Sequence, residues 1–287
     1  SEGGADLNPL GIRVSNKFLS RSMSKKISII VPCYNEEKNV NRTIDGLLEV
    51  LKDRPYELEI LVVDDDSKDS SWEVIKEYSA RVPQVKGIRH MCNYGQAAAY
   101  QTGFDAAQGD YVITVSADLE TPLENVLTVI QKLEEGYDLV NTHRVGRWEE
   151  GNENSEASGA SGRAKKSKLA NRIIASISKV NVADRGSGMK GFSRVIAKNL
   201  RLYGDMHRFI PDYAAVYGAK MTEFEVPFRD RDYGVSAYSG TKRTIKVLLD
   251  LPVLAFMLYF AKKPFHAMPG RIFGLLGALS GGLGVLS

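Results

Sequence analysis

Asp110-Tyr-Val-Ile-Thr-Val-Ser-Ala-Asp-Leu-Glu-Thr-Pro122 decides how this chain is read. Tyr111 to Val115 is a short apolar run with the pattern of a buried strand, and it stops abruptly at Ser116, Asp118 and Glu120. In open α/β sheets, ligands sit beyond the carboxyl ends of strands. Oxygen side chains in that place suit a hard divalent cation that clamps a diphosphate. A polar turn after a strand gives the same residues, so the neighbouring segments have to decide.

Upstream, the same grammar repeats. Lys26 to Val31 is β-branched and predicts a strand, followed by Pro32-Cys-Tyr-Asn-Glu-Glu37 and a helix from there to about Leu51. Leu58 to Val63 predicts a second strand that runs into Asp64-Asp-Asp-Ser-Lys-Asp69, with a helix over about 71–81. A short strand near 85–89 precedes Asn93-Tyr-Gly-Gln96 and a small-residue helix to Ala107. Downstream, a helix over 123–135 and a strand over 138–142 continue the alternation. Alternating strands and helices imply a parallel, doubly wound sheet. The polar clusters at 34–37, 64–69 and 116–120 then meet on one sheet edge. The three consecutive aspartates have two readings: exposure with helix capping by Ser67 or Asp69, or hydrogen bonding to a nucleotide base or ribose.

The second half is more varied. Gly151 to Gly162 is a low-complexity loop, with Arg144 and Arg147 before it and Arg163, Lys165, Lys166 and Lys168 after it. It reads either as solvated decoration or as a lid that neutralises phosphate. A helix is predicted over about 167–180, and Asp184-Arg-Gly-Ser-Gly-Met-Lys190 is a glycine-rich turn before an apolar segment. Leu200 to Tyr217 reads as one helix, with His207 structural, and Met221 to Val226 as a strand.

Composition bounds the classes. The 287 residues are 25% charged and 43% hydrophobic, which is globular, and a net charge of +3 gives no case for nucleic acid. Two cysteines, Cys33 and Cys92, have no metal spacing. Residues 1–24 read as a flexible leader without a signal peptide. Basic and apolar residues alternate over 241–270, with Pro264 and Pro269 as breakers, as in helices that lie in a lipid headgroup region. Residues 271–287 read as the start of a transmembrane helix, shorter than the roughly 20 residues a full span needs.

Val31-Pro-Cys-Tyr-Asn-Glu-Glu37, Val63-Asp-Asp-Asp-Ser-Lys-Asp69, Asn93-Tyr-Gly-Gln96 and Ala117-Asp-Leu119 resemble the inverting family 2 glycosyltransferases of GT-A fold. Asp184 with Gly186-Ser-Gly-Met-Lys190, His207-Arg-Phe-Ile-Pro211 and Arg231-Asp-Tyr-Gly-Val-Ser-Ala-Tyr238 narrow the resemblance to polyisoprenyl-phosphate glycosyltransferases, dolichol-phosphate mannose synthases among them. The resemblance spans about residues 26–287. It implies a Rossmann-like, mostly parallel GT-A domain over 25–240, then interface helices and a transmembrane region. It implies transfer of a sugar from a nucleoside diphosphate donor, UDP-glucose ahead of GDP-mannose, to a polyisoprenyl phosphate. It also implies Mg²⁺ or Mn²⁺, a prokaryotic plasma membrane with the catalytic domain on its cytoplasmic face, and room for a homo-oligomer.

Carried over by position, the resemblance gives Pro32, Tyr34, Glu36 and Asp65 to the nucleotide, and Asp118 and Glu120 to the metal. Arg144, Lys165, Ser167 and Arg231 fall to the acceptor phosphate, and Asp118, Asp184 and Arg231 to catalysis. Two positions depart from the family: Ser116 stands where an Asp is usual, and Ala237 where a Lys is usual. A processive polysaccharide-forming subclass would carry a Gln-x-x-Arg-Trp-like motif, which is missing. An inactive nucleotide-binding homologue is the other alternative, supported by Ser116 and Ala237.

Overall fold

The computed structural model describes residues 24–146, 174, 178, 180–202, 204–229, 252–259, 273, 274 and 277. The leader apart from Ser24, the loop at 151–162, Lys165, Ser167, Arg231, Ala237 and nearly all of 260–287 lie outside the described residues, as does most of the helix expected over 167–180.

Strand β1 (Lys25–Cys33) pairs in parallel with β2 (Tyr56–Asp64) on one side and β4 (Tyr111–Thr114) on the other. β3 (Val85–Arg89) extends the sheet beyond β2, again in parallel. The helices α1 (Val40–Val50), α2 (Ser71–Arg81), α3 (Gln96–Ala106) and α4 (Asn125–Glu134) connect or follow these strands. β5 (Leu139–Val145), β6 (Lys190–Ser193) and β7 (Met221–Pro227) complete a seven-stranded sheet in the order β3-β2-β1-β4-β6-β5-β7.

Alternation along the strands feeds two cores. Ile27, Ile29 and Val31 of β1, Ile60 and Val62 of β2, and Ile113 of β4 meet α1, α2 and α4 on one face. Ile30, Leu61, Val63 and Val112 point to the other face, against Tyr100 and Phe104 of α3. Strands buried on both sides read as continuous apolar runs, which is why β1 and β2 were plain in the sequence. The small residues of α3 let it lie close to the sheet: a Cβ on Gly103 would come within 2.4 Å of Ile30.

Three expectations need correction. The helix after β1 begins at Val40 rather than at 32–37, because Asn35 adopts φ +56° and the chain turns there first. The sheet is mixed: β6 runs antiparallel to both β4 and β5, and it occupies the segment read only as apolar after the glycine turn. Residues 200–217 are not one helix. A 3-10 turn (Met206–Phe209) leads into α6 (Ile210–Val216), preceded by the short helix α5 (Arg194–Asn199), and Pro211 stands in the first turn of α6, where a missing N–H costs nothing. No helix among the described residues is long and apolar enough to cross a membrane.

Candidate active site

Because β1, β2 and β4 end together, the turns after them close on one cleft. It is lined by Pro32 at the end of β1 with Tyr34 and Glu36 just after it, Asp65 after β2, Asn93 and Gly95 before α3 with Gln96 at its start, and Ser116 and Asp118 after β4. The three polar clusters of the sequence thus meet, as the alternation of elements demands.

The consecutive aspartates have separate duties. Asp64 is buried, accepts weakly from the Ser67 amide at 3.4 Å and pairs with Arg89 at 3.2 Å. Burial pushes its pKa up, against the hydrogen bonds of Ser67 and the charge of Arg89. Asp66 takes φ +62° and pairs with Lys68. Asp65, only 4% exposed, accepts from the Tyr94 amide at 2.9 Å, the Gly95 amide at 2.7 Å and His90 Nδ1 at 2.8 Å. In the neutral imidazole, Nδ1–H then donates to the carboxylate and Nε2 accepts from the Thr102 hydroxyl at 2.8 Å. So Asp65 lines the cleft and also fixes the turn that forms its wall. His90 escaped the sequence reading; its one signal was its place just after a strand on the same edge. Neither capping candidate caps α2 outright: Asp69 accepts the Ser71 amide at 3.0 Å, while Ser67 accepts from Asn35 at 2.9 Å and ties the two turns together.

Asp65→Ala is expected to loosen this wall. Losing charge-assisted bonds worth about 1.5–3 kcal/mol each should weaken nucleotide binding by about 100-fold. Titration of UDP into the variant checks this; unchanged affinity would make the bonding of Asp65 irrelevant to the cleft.

Beyond Asp118 the charges are tightly paired. Arg144 of β5 is 6% exposed and lies between two carboxylates. Its Nη1 donates to Glu120 at 2.7 Å, and its Nε and Nη2 grip Asp184 at 2.7 and 3.1 Å. Burial works against the charge on Arg144. The hydrogen bonds and charge of Asp184, with the charges of Glu120 and Asp118, still carry its pKa above the ordinary arginine value. Asp184 also accepts the Gly186 amide at 3.1 Å and so caps the glycine turn as well. The structure therefore brings Glu120, Arg144 and Asp184 into one cluster, assigned by the sequence to three different duties. The turn itself is anchored below by the buried Arg185–Asp212 pair at 3.1 Å, which joins it to α6.

Gly188 crosses directly over the end of β4, where a Cβ on it would come within 1.8 Å of Ser116 Oγ. The hydroxyl of buried Tyr100, whose pKa burial pushes up to about 12, also faces Ser116. Position 116 is thus enclosed on two sides, which is a physical reason for a small side chain there.

Asp118 stands between two cavities. It lines the strand-end cleft, and it also lines a second hollow with Asn39, Arg42, Gly46, Val50, Leu119, Thr121, Pro122, Leu123, Glu124 and Arg229. Among the described residues, no three His, Cys, Asp or Glu side chains gather as a metal site. With Glu120 held by Arg144, the donor set fits a hard cation only as Mg²⁺ is often held, by a carboxylate completed with phosphate oxygens and water. Lys165, Ser167 and Arg231 lie outside the described residues, so their place relative to this cluster is not given.

The dodecaprenyl-phosphate galacturonate synthase of Rhizobium johnstonii is 33% identical over 268 residues, covering 92% of this chain and 75% of that protein. The undecaprenyl-phosphate 4-deoxy-4-formamido-L-arabinose transferase of Photorhabdus laumondii is 31% identical over 235 residues, covering 81% and 69%. Among solved structures, glucosyl-3-phosphoglycerate synthase from Mycobacterium tuberculosis, in complex with Mn²⁺, UDP-glucose and phosphoglyceric acid, superposes with a TM-score of 0.60. At 17% identity over 81% of this chain and 80% of that one, it shows the shared GT-A fold alone. The family model for glycosyl transferase family 2 matches residues 28–201, which carry the strand-end cleft, Asp118, Arg144 and Asp184. The chain therefore belongs to glycosyl transferase family 2 and is a glycosyltransferase.

Proposed function

We propose that this chain transfers a glycosyl group from a nucleoside diphosphate sugar to the phosphate of a polyisoprenyl lipid, with inversion at the anomeric carbon. The observation that carries the reading is the juxtaposition at Asp118: the strand-end cleft on one side, and the Glu120–Arg144–Asp184 cluster beside it. The names of the relatives, which carry dodecaprenyl and undecaprenyl phosphate, support the acceptor class.

The chemistry suits these residues. A lipid phosphate is already anionic near neutral pH, so the reaction needs positioning and charge stabilisation more than a strong base. Asp118 and the diphosphate oxygens would hold Mg²⁺ or Mn²⁺, which acts as a Lewis acid on the leaving diphosphate. Arg144 keeps Glu120 and Asp184 at fixed places along two edges of its planar guanidinium. Asp184 thereby presents an oriented carboxylate for sugar hydroxyls. The hollow beyond Asp118 combines two arginines, Arg42 and Arg229, with the carboxylate of Glu124 and the apolar Val50, Pro122 and Leu123. That mixture fits a phosphate carried on a hydrocarbon chain. Lys165, Ser167 and Arg231 remain our candidates for further acceptor contacts.

Membrane attachment, on the cytoplasmic face, is part of the same reading. Residues 252–259 are helical; Leu254 is buried against Phe209 and Ile174. Val253, Phe256 and Tyr259 are exposed, and the likewise exposed Phe273 stacks on Phe256 at 6.4 Å between ring centres. An exposed apolar and aromatic face is what a headgroup-level helix presents.

A donor panel tests the proposal. The protein is incubated with a polyprenyl phosphate, Mn²⁺ or Mg²⁺, and labelled UDP-glucose, GDP-mannose, or nucleotide-linked galacturonate or 4-deoxy-4-formamido-L-arabinose in turn. Label entering the lipid phase with one donor supports the reading and names the sugar, and UDP-glucose is our first choice. Nucleotide binding with no transfer from any donor would favour the inactive homologue.

A further inference from the structure

Lys190 opens β6 directly beneath the turn that carries Asp184. It is 3% exposed, yet none of its hydrogen bonds goes to a carboxylate. Its Nζ donates instead to the carbonyl oxygens of Arg185, at 3.2 Å, and Ser187. Ser187 in turn meets the hydroxyl of Thr142, and Thr142 donates to the Met189 carbonyl at 2.9 Å. Thr114 holds the Gly188 carbonyl at 3.0 Å. Across the ladder Lys190 is paired with Asn141, whose buried Oδ1 has no hydrogen-bond partner.

We propose that Lys190 is a positioning residue of the transfer site: its ammonium, seated under the Asp184–Gly188 turn, holds that turn so that Asp184 meets Arg144. The inference rests on the sugar-transfer reading above and names a residue that reading does not use. Charged groups face Lys190 from three elements: Asp184 on the turn, Arg144 on β5 and Glu223 on β7. Asp212 of α6 is taken up by Arg185, and Glu120 by Arg144.

The direction of the lysine's pKa shows that the charge itself is not held for the sake of stability. Burial pushes its ammonium down to about 8, with Asp184 and Glu223 opposing and Arg144 adding to the fall. The unfolded chain binds this proton more tightly than the folded one. Between about pH 8 and the ordinary lysine value, stability therefore rises with pH. Near pH 7, the charge on Lys190 is held at a cost to the fold. A residue of that kind gains most from what its charge orients.

The test compares the wild type with Lys190→Met and Lys190→Arg. For Lys190→Met at pH 7 we expect a melting midpoint equal to or above that of the wild type. We also expect kcat lower by about 100-fold, the loss that a misplacement on the order of 1 Å produces, with KM for the nucleotide sugar little changed. Wild-type kcat should fall about tenfold per pH unit above about 8, a limb absent from Lys190→Arg, whose charge does not titrate there. A midpoint that drops together with kcat, or an alkaline limb that persists in Lys190→Arg, would overturn the proposal in favour of a merely structural lysine. One measurement does not depend on turnover. In Lys190→Met, hydrogen exchange should quicken at the Gly186 and Ser187 amides and stay unchanged at Tyr94 and Gly95. Unchanged exchange at Gly186 and Ser187 sinks the positioning role even if sugar transfer is established. Failure of every donor with quickened exchange sinks only the reaction.

Discussion

Arg144→Met is expected to lose at least about 1000-fold in transfer rate and about 3–5 kcal/mol in stability, the usual cost of removing one partner from a buried ion pair. The reason lies in the arithmetic of the cluster. One buried guanidinium serves two carboxylates: Nη1 on Glu120 at 2.7 Å, and Nε with Nη2 on Asp184 at 2.7 and 3.1 Å. Methionine matches much of the volume and leaves both carboxylates uncompensated. Arg144→Lys separates charge from geometry. A lysine keeps the positive charge but lacks the planar fork, so it cannot hold Asp184 with two bonds and Glu120 with a third. We expect that variant to retain most of its stability and still lose about 100-fold in rate. Urea unfolding read alongside initial rates checks both. If Arg144→Met stays within twofold of the wild type in rate, the cluster has no part in transfer.

How far the sequence led depended on how local the determining physics was. β1, β2 and β4 were legible because strands buried on both faces are continuous apolar runs, and α2 and β3 fell where the pattern put them. β6 was hidden because Lys190-Gly-Phe-Ser193 is a short strand whose first side chain is a buried cation, and its partners lie 49 or more residues away in the chain. The helix over 200–217 was overextended because apolar spacing continues through Met206 and Phe209 while the backbone tightens to a 3-10 turn before Pro211. At the site, the meeting of 32–36, 65 and 116–118 follows from topology and was expected. The partners of each carboxylate were not, because Asp65–His90 and Arg144–Asp184 join residues 25 and 40 positions apart. Residue type and strand-end position singled out Asp65 and Asp118, whereas Asp184 came from its glycine-rich turn and the family resemblance. Only the packing of β5 against β6 reveals that Glu120 and Asp184 share one arginine.

Asp118→Asn should separate the metal's contribution from the fold's. Asp118 is partly exposed at the junction of two cavities, and asparagine keeps its shape. On both counts we expect a stability change within about 1 kcal/mol. We expect a rate loss of about 1000-fold or more, since a Lewis acid on the leaving group is worth several kcal/mol and each 1.4 kcal/mol is tenfold. Arg144→Met and Asp118→Asn would then share an activity defect while differing in stability, which distinguishes a residue that organises the site from one that holds the cation. The readout besides activity is titration of Mn²⁺ into the UDP-bound protein, where Asp118→Asn should bind far more weakly than wild type. Ser116→Asp runs the comparison in the other direction. A second carboxylate would tighten Mn²⁺, but position 116 is confined by Tyr100 and by Gly188, so the added bulk should cost about 1–3 kcal/mol in the metal-free protein. Mn²⁺ binding should recover part of that cost, giving a larger upward shift in melting midpoint on adding Mn²⁺ and UDP than the wild type shows. Equal Mn²⁺ affinity in wild type and Asp118→Asn would remove Asp118 from the cation site and return the cleft to binding nucleotide without metal.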